Sequence, residues 1–433
     1  MASTSKNRII IDTDPGVDDV LALLLAFSAS LEELEILLIS VTHGNVSLQN
    51  CLKNTVSLFH VIEKEIEWRE SRGEPAGYET FRRFRPIVAV GAENALNEKY
   101  SVKSTPHGQD GVQGAHKIHP HLSPDDSWKA LFDDDFSGTH EDASFHRYFT
   151  PSRLPAHKEI LRVLRQEPEN TVKICVLGPM TNVALAAAED PETFLRAKEL
   201  VVMGGAVDCP GNVTPTAEFN IYADAPAAAR VFALTSAVPA STMSLTLSTL
   251  PAYPAGISGG LKLSLFPLDI TTKHPLKKGF FMEKVAPRME QGSPVACWIH
   301  AMMSRLFETM ARRTGPGVEP ALALHDPLTV WYILTSENPG WKLAQNGPED
   351  IRVESVGEWT RGMTVSDKRG LVQTGMANLD EAEISGIAID PDVEDPGDPL
   401  GWISAKRGNR IYRYAASPDA NGFASELLRR VLE

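Results

Sequence analysis

Residues 9–23 read IIIDTDPGVDDVLAL, and the fold turns on them. Three consecutive isoleucines are a short β-branched run of the kind that fills a strand buried on both faces. A Pro-Gly pair then breaks the chain, and from Val20 the run VLALLLAFS carries apolar residues at helical spacing. Strand, turn and helix in that order open a βαβ unit, and the alternation recurs. RIII at 8–11, EILLISVT at 35–42, PIVAVG at 86–91, VKICVL at 172–177 and ELVVMGG at 199–205 predict buried strands; NTVSLFHVIEK and MTNVALAAAED predict helices between them. The expected architecture is α/β: an open, mostly parallel Rossmann-like sheet flanked by helices. In such a sheet a site belongs just beyond the carboxyl ends of the strands.

Two stretches depart from that rhythm. Residues 119–150 are acidic, His-containing and aperiodic, and residues 236–265 are rich in Ser, Thr, Pro and Gly; both read as surface insertions in a single domain spanning 1–433, with residues 390–433 as a C-terminal extension. The carboxylates of the first stretch lack regular ligand spacing, so a solvated loop is preferred there over a metal site. The 433 residues are 42% hydrophobic, enough for a large core. A formal net charge of -14 and a pI near 5.4 argue against a nucleic-acid partner, whose phosphates demand clustered Lys and Arg. Cys51, Cys175, Cys209 and Cys297 lie far apart, with no CxxC pair, which points to a reducing compartment. The N-terminus lacks a secretory h-region and no run is long enough to span a bilayer, so the expected location is cytoplasmic, with no membrane partner.

The chemistry concentrates in Asp12, Asp14, Asp18 and Asp19. Carboxylates at a helix start are ordinary, since they cap free N–H groups and favour the positive end of the helix dipole. That accounts for one or two of the four. The rest repel one another at the mouth of an apolar strand, and a hard cation with oxygen ligands is the simplest offset. An EF-hand loop is a weak fit, because its spacing and closing Glu are missing and a strand precedes the motif. A haloacid dehalogenase-like phosphohydrolase, with Asp12 as nucleophile in a DxD motif, is the competing enzyme reading, although Gly16 stands where that motif has Thr or Val.

DTDPGVDD at 12–19 resembles the signature of the nucleoside hydrolase family. The similarity continues in order through HGN at 43–45, HGQDG at 107–111, LGPMTNVALA at 177–186, VVMGG at 201–205, GNVTPTAEFN at 211–220, PLDIT at 267–271, HDPL at 325–328 and TRGMTVSD at 360–367. The resemblance implies hydrolysis of the N-glycosidic bond of a free ribonucleoside of the uridine or inosine type, and a homodimer or homotetramer. It also implies one Ca²⁺ held by Asp14, Asp19, Asp326 and the main-chain carbonyl of Leu177, with a water that Asp14 activates as base. An all-oxygen set suits Ca²⁺ better than Zn²⁺ or the strictly octahedral Mg²⁺.

By the same resemblance Asp18, Asn45, Met203, Asn212, Glu218 and Asn220 line the ribose pocket, and His325 protonates the departing base. His107 is a further base contact. Each has a bland reading: an isolated Asn in a GN turn supports positive φ, and a lone His caps a helix or packs beneath a site. Trp298 and Phe307 could wall the base but, at helical spacing, are read as core. A catalytically silent nucleoside-binding protein is the alternative from another class.

Overall fold

The computed structural model describes residues 7–97, 106–132, 147–243, 250–254, 256–257, 260–313, 315, 317–369, 398, 400–404 and 407–433. Its strands in chain order are β1 (Asn7–Thr13), β2 (Leu34–Val41), β3 (Ile87–Val90), β4 (Thr150–Pro151), β5 (Val172–Val176), β6 (Glu199–Met203), β7 (Leu263–Phe266), β8 (Pro275–Lys277), β9 (Ala321–Ala323), β10 (Lys342–Leu343), β11 (Ile351–Val353), β12 (Thr364–Ser366) and β13 (Ile411–Ala416). The central sheet has nine strands in the order β10-β13-β7-β6-β5-β1-β2-β3-β4, with two-stranded pairs β8-β9 and β11-β12 outside it. Neighbours in the large sheet run parallel except β10 and β13.

Helices cover both faces, which is why the strands are uniformly rather than alternately apolar. Ile9 and Ile11 enter the core beneath helix Val17–Phe27, whereas Ile10 enters a second core with Leu38, Ile174, Val176 and helix Thr181–Glu189. Helix Val17–Phe27 is buried along its entire length, and that is what its continuous apolar sequence is for.

The winding positions the site. From β1 the chain steps outward through β2, β3 and β4, then returns across the sheet to β5 on the other side of β1. The β1/β5 boundary is therefore the switch point, where the loops leaving two adjacent parallel strands diverge and open a crevice. Asp14 follows β1 and Leu177 follows β5 at that crevice.

Three boundaries differ from the sequence reading. Residues 263–265 of the supposed 236–265 insertion belong to β7, a fully buried strand between β6 and β13. The 119–150 stretch is anchored rather than merely solvated: Leu122, Trp128, Leu131 and Phe149 are buried in the main core, while residues 133–146 of it lie outside the described residues. The C-terminal segment is no appendage either, although its residues 390–397 lie outside the described ones. β13 sits inside the sheet, and helix Phe423–Leu432 packs into the main core, with Phe423 stacked on Trp331 at 4.4 Å. Alternating YRY residues and a short terminal amphipathic helix give too little signal to separate an added tail from a sheet strand. No helix among the described residues is long and apolar enough to cross a membrane.

Candidate active site

The four aspartates of the opening motif divide by depth. Asp12 lies within β1, fully buried, and its Oδ1 accepts hydrogen bonds from Ser40 Oγ on β2 and from Asn182 Nδ2 at 2.9 Å. It joins two strands and a helix, and burial pushes its carboxyl up to about 7. Its Oδ2 has no hydrogen-bond partner among the described residues but is buried with the rest of the side chain, out of reach of a phosphate in the crevice, which disfavours the phosphohydrolase reading.

Asp19 is the hub of the turn. Its Oδ1 accepts from Thr13 Oγ1 at 2.6 Å and the Asp14 N–H at 3.3 Å, and its Oδ2 from the Gly16 N–H at 2.9 Å and Asn45 Nδ2 at 3.0 Å. Asn45 also donates its backbone N–H to Asp14 Oδ2 at 2.6 Å. The HGN segment after β2 thus clamps the aspartate turn after β1. Gly44 and Gly178 enclose the Asp14 carboxylate so closely that a Cβ at either position would collide with it. This is the reason for glycine in HGN and in LGP.

Asp18, Asp19 and Asp326 come together, with one oxygen from each within 4.8 Å of the others, and Asp14 lies beside them. The sequence reading assigned Asp18 to the sugar and Asp14 to the metal; the structure groups Asp18 with the metal-type cluster as well. All four side chains are buried, and Asp14 Oδ1 and Asp18 Oδ1 have no hydrogen-bond partner among the described residues. Burial, then Asp19, raises Asp18 to about 8; burial and the neighbouring aspartates push Asp14 and Asp326 well above the ordinary carboxylate range. Carboxylates packed this way ionise together only at a cost in stability unless a cation offsets them. The residues fit a hard, oxygen-seeking divalent ion, and among the described residues no Cys or His joins the cluster.

The remaining predicted residues ring this centre. The Leu177 carbonyl accepts from Asn220 Nδ2 at 2.6 Å, and the same nitrogen lies 3.4 Å from Met203 O and Sδ, so the ends of β5 and β6 meet at Asn220. Glu218 caps helix Phe219–Ala223: its oxygens accept from the N–H groups of Asn220, Ile221 and Gly205, and burial raises its carboxyl. Asn212 stands apart. It is exposed, and its Oδ1 accepts from the Phe219 N–H at 2.9 Å, so it stays on the rim as a turn residue.

His107 Nδ1 accepts the Val17 N–H at 3.0 Å and lies 3.8 Å from Asp18 Oδ1, which brings the HGQDG loop onto the acidic turn. Asn54 secures that loop by donating to the carbonyls of both Pro15 and Asp110. His325 opens helix His325–Thr335, one residue before Asp326, with its Nδ1 2.7 Å from Thr271 Oγ1. Burial lowers both rings to about 4, and His107 adds to the effect on His325, so each is neutral at pH 7. A neutral ring whose Nδ1 accepts a hydrogen bond carries its proton on Nε2. Trp298 and Phe307 are buried in the main core, as their helical spacing suggested. All four cysteines are free.

Sequence reasoning missed Thr13, Asn54 and Thr271: Thr13 holds the Asp19 carboxylate, Asn54 the loop of His107, and Thr271 the His325 ring. Thr13 and Thr271 stood within or beside quoted motifs, where a hydroxyl near a carboxylate or a ring is the only available signal. Asn54 carried none.

Fold and site together define an open α/β protein with a cation-seeking acidic centre at its topological switch. Residues 9–393 match the family model described as inosine-uridine preferring nucleoside hydrolase. The chain therefore belongs to that family, hydrolases acting on the N-glycosyl bond of ribonucleosides. It is 28% identical over 391 residues to an uncharacterized protein of Schizosaccharomyces pombe, covering 88% of this chain and 98% of that one. It is 26% identical to the non-specific ribonucleoside hydrolase RihC of Klebsiella pneumoniae, covering 89% of this chain and 94% of RihC. The solved structure of an inosine-guanosine nucleoside hydrolase shares the fold, at a TM-score of 0.63 and 21% identity, over 98% of both chains.

Proposed function

We propose that this chain hydrolyses ribonucleosides of the uridine and inosine type to ribose and free base, with Ca²⁺ held by Asp14, Asp18, Asp19, Asp326 and the Leu177 carbonyl. The observation that carries the reading is the buried aspartate cluster at the β1/β5 switch point, with Asp14 Oδ1 and Asp18 Oδ1 unpartnered among the described residues. A bound calcium ion would offset the cluster's charge, orient ribose hydroxyls and position the attacking water.

The protein's own groups do the rest. Departure of the base leaves positive charge on the sugar, and the carboxylates of Asp14 and Asp18 stabilise it from fixed positions. Asp14 takes the proton of the attacking water; its Oδ1 has no hydrogen-bond partner among the described residues and so keeps a lone pair for it. Asn220 and Glu218, locked by their backbone hydrogen bonds, hold the ribose against the β6 end. His107 and His325, as neutral rings, donate hydrogen bonds from Nε2 to the base and stabilise the negative charge it gains on leaving. A pocket built to bind hydroxyls leaves buried polar groups unpaired with a deoxy sugar, which lowers its rate by orders of magnitude.

The test is hydrolysis of uridine, inosine, cytidine, adenosine, nicotinamide riboside and 2′-deoxyuridine, with and without prior EGTA. Ribose release that EGTA removes and calcium restores, with deoxyuridine inert, is the expected result. Bound calcium with no turnover on any nucleoside would instead identify a silent binding protein.

A further inference from the structure

The C-terminal strand contributes one charged side chain to the interior. Arg413, on β13, is 5% exposed and donates to both Glu349 oxygens at 2.9 and 2.8 Å, to Asp208, and to Asp269 Oδ1 at 3.3 Å. Asp269 in turn accepts the backbone N–H groups of Val207 at 3.0 Å and Asp208 at 2.7 Å. It sits on the short helix Leu268–Thr271, whose Leu268 N–H donates to the Gly205 carbonyl at 2.9 Å. The loop leaving β6 beside Met203 is therefore tied to this helix at three backbone positions, Gly205, Val207 and Asp208.

Thr271 is the last residue of the same helix. It is fully buried, and its hydroxyl makes one side-chain hydrogen bond among the described residues, to His325 Nδ1. The helix thus has the pocket wall at one end and the base-side histidine at the other, with Arg413 neutralising the carboxylate that anchors it. A planar guanidinium with fixed donors can satisfy three carboxylates in one plane; an ammonium cannot.

We infer that Thr271 and Arg413 are positioning residues for leaving-group assistance: Thr271 fixes the ring and tautomer of His325 so that Nε2 carries the proton, and Arg413 holds the helix that presents Thr271. The inference rests on the proposed nucleoside hydrolysis and assigns function to the C-terminal segment. Polar partners that orient a functional histidine are worth about 10- to 100-fold when removed.

The experiment compares kcat and KM of wild type, Thr271→Val, Thr271→Ser and Arg413→Lys on uridine and on p-nitrophenyl riboside, whose leaving group departs without a proton. If the wild type turns over neither substrate, it is the functional reading that fails, not this inference. With an active wild type, Thr271→Val lowers kcat on uridine by about 10- to 100-fold and on the nitrophenyl substrate by less than about threefold, at similar KM, and Thr271→Ser restores uridine turnover. Arg413→Lys gives the same substrate-dependent loss, and the double variant loses no more than the larger single effect. Equal losses on both substrates, or an unaffected Thr271→Val, overturn the inference. Thr271→Val decides the matter even if Arg413→Lys fails to fold.

Discussion

Replacing Asp326 with Asn should make the metal-free protein more stable while removing its activity. Asp326 sits 3% exposed in the first turn of helix His325–Thr335, and its carboxylate accepts no hydrogen bond among the described residues. Its oxygen lies within 4.8 Å of oxygens of Asp18 and Asp19, and at an effective dielectric constant near 20 one such pair of charges repels by about 3 kcal/mol. Proton uptake by Asp18, whose carboxyl already stands at about 8, limits the relief to roughly one pair. Against it stands the loss of an acidic residue at a helix start, about 0.3–1 kcal/mol. The net gain is about 2 kcal/mol. For a 433-residue chain the entropy of unfolding is on the order of 0.9 kcal/mol per kelvin, so Tm should rise by about 2 °C in EGTA at pH 8. In millimolar calcium the order reverses, because only the wild type keeps its full ligand set and the stabilisation that binding supplies. Differential scanning calorimetry under both conditions reads the result. A lower or unchanged Tm for Asp326→Asn in EGTA would refute the claim that mutual repulsion dominates this cluster.

Asp14→Asn should abolish ribose release, whereas Asp12→Asn, which alters a buried strand contact, should lower stability yet leave turnover measurable; the reverse pattern in an initial-rate assay would restore Asp12 as the reacting group. Calcium should raise Tm more at pH 8 than at pH 5.5. The folded-state values of Asp14, Asp18 and Asp326 are raised, so their contribution to metal-free stability is full below the model value of 3.8 and is lost as pH climbs toward 8, where the ion replaces the missing protons. His43, His107 and His325, lowered to about 4, act on the other limb: their contribution is present above 6.5 and lost as pH falls toward 4, so in EGTA the two effects oppose each other between about pH 4 and 6.5 and the carboxylate loss stands alone above that. Phe423→Ala removes a fully buried ring stacked on Trp331 and should cost about 3–5 kcal/mol in urea unfolding, a loss that a dispensable tail would not produce.

Much of this was legible locally. Strands covered on both faces must be continuously apolar, so RIII, VKICVL and ELVVMGG announced themselves, and the Asp-rich turn after β1 marked the crevice because unpaired carboxylates are not left at an apolar strand end without a reason. Asp14, Asp18 and Asp19 lie in that turn, whereas Asp326 reaches the same centre from helix His325–Thr335. What remained hidden has a common cause. The pairing of β13 with β7, the burial of Trp128 and Phe149, the clamp of Asn45 on Asp14, and the link from Arg413 through Asp269 to Thr271 all join residues far apart in the chain, and side-chain pattern within a segment carries no record of which distant partner it meets. The sequence by itself determined the α/β alternation and the chemistry of the acidic turn, because periodicity and charge are local quantities. Only the tertiary structure decided that Asp12 is a strand contact rather than a nucleophile, that Asp18 joins the metal-type cluster, and that the last twenty-odd residues belong to the core, because each depends on which groups share one buried volume.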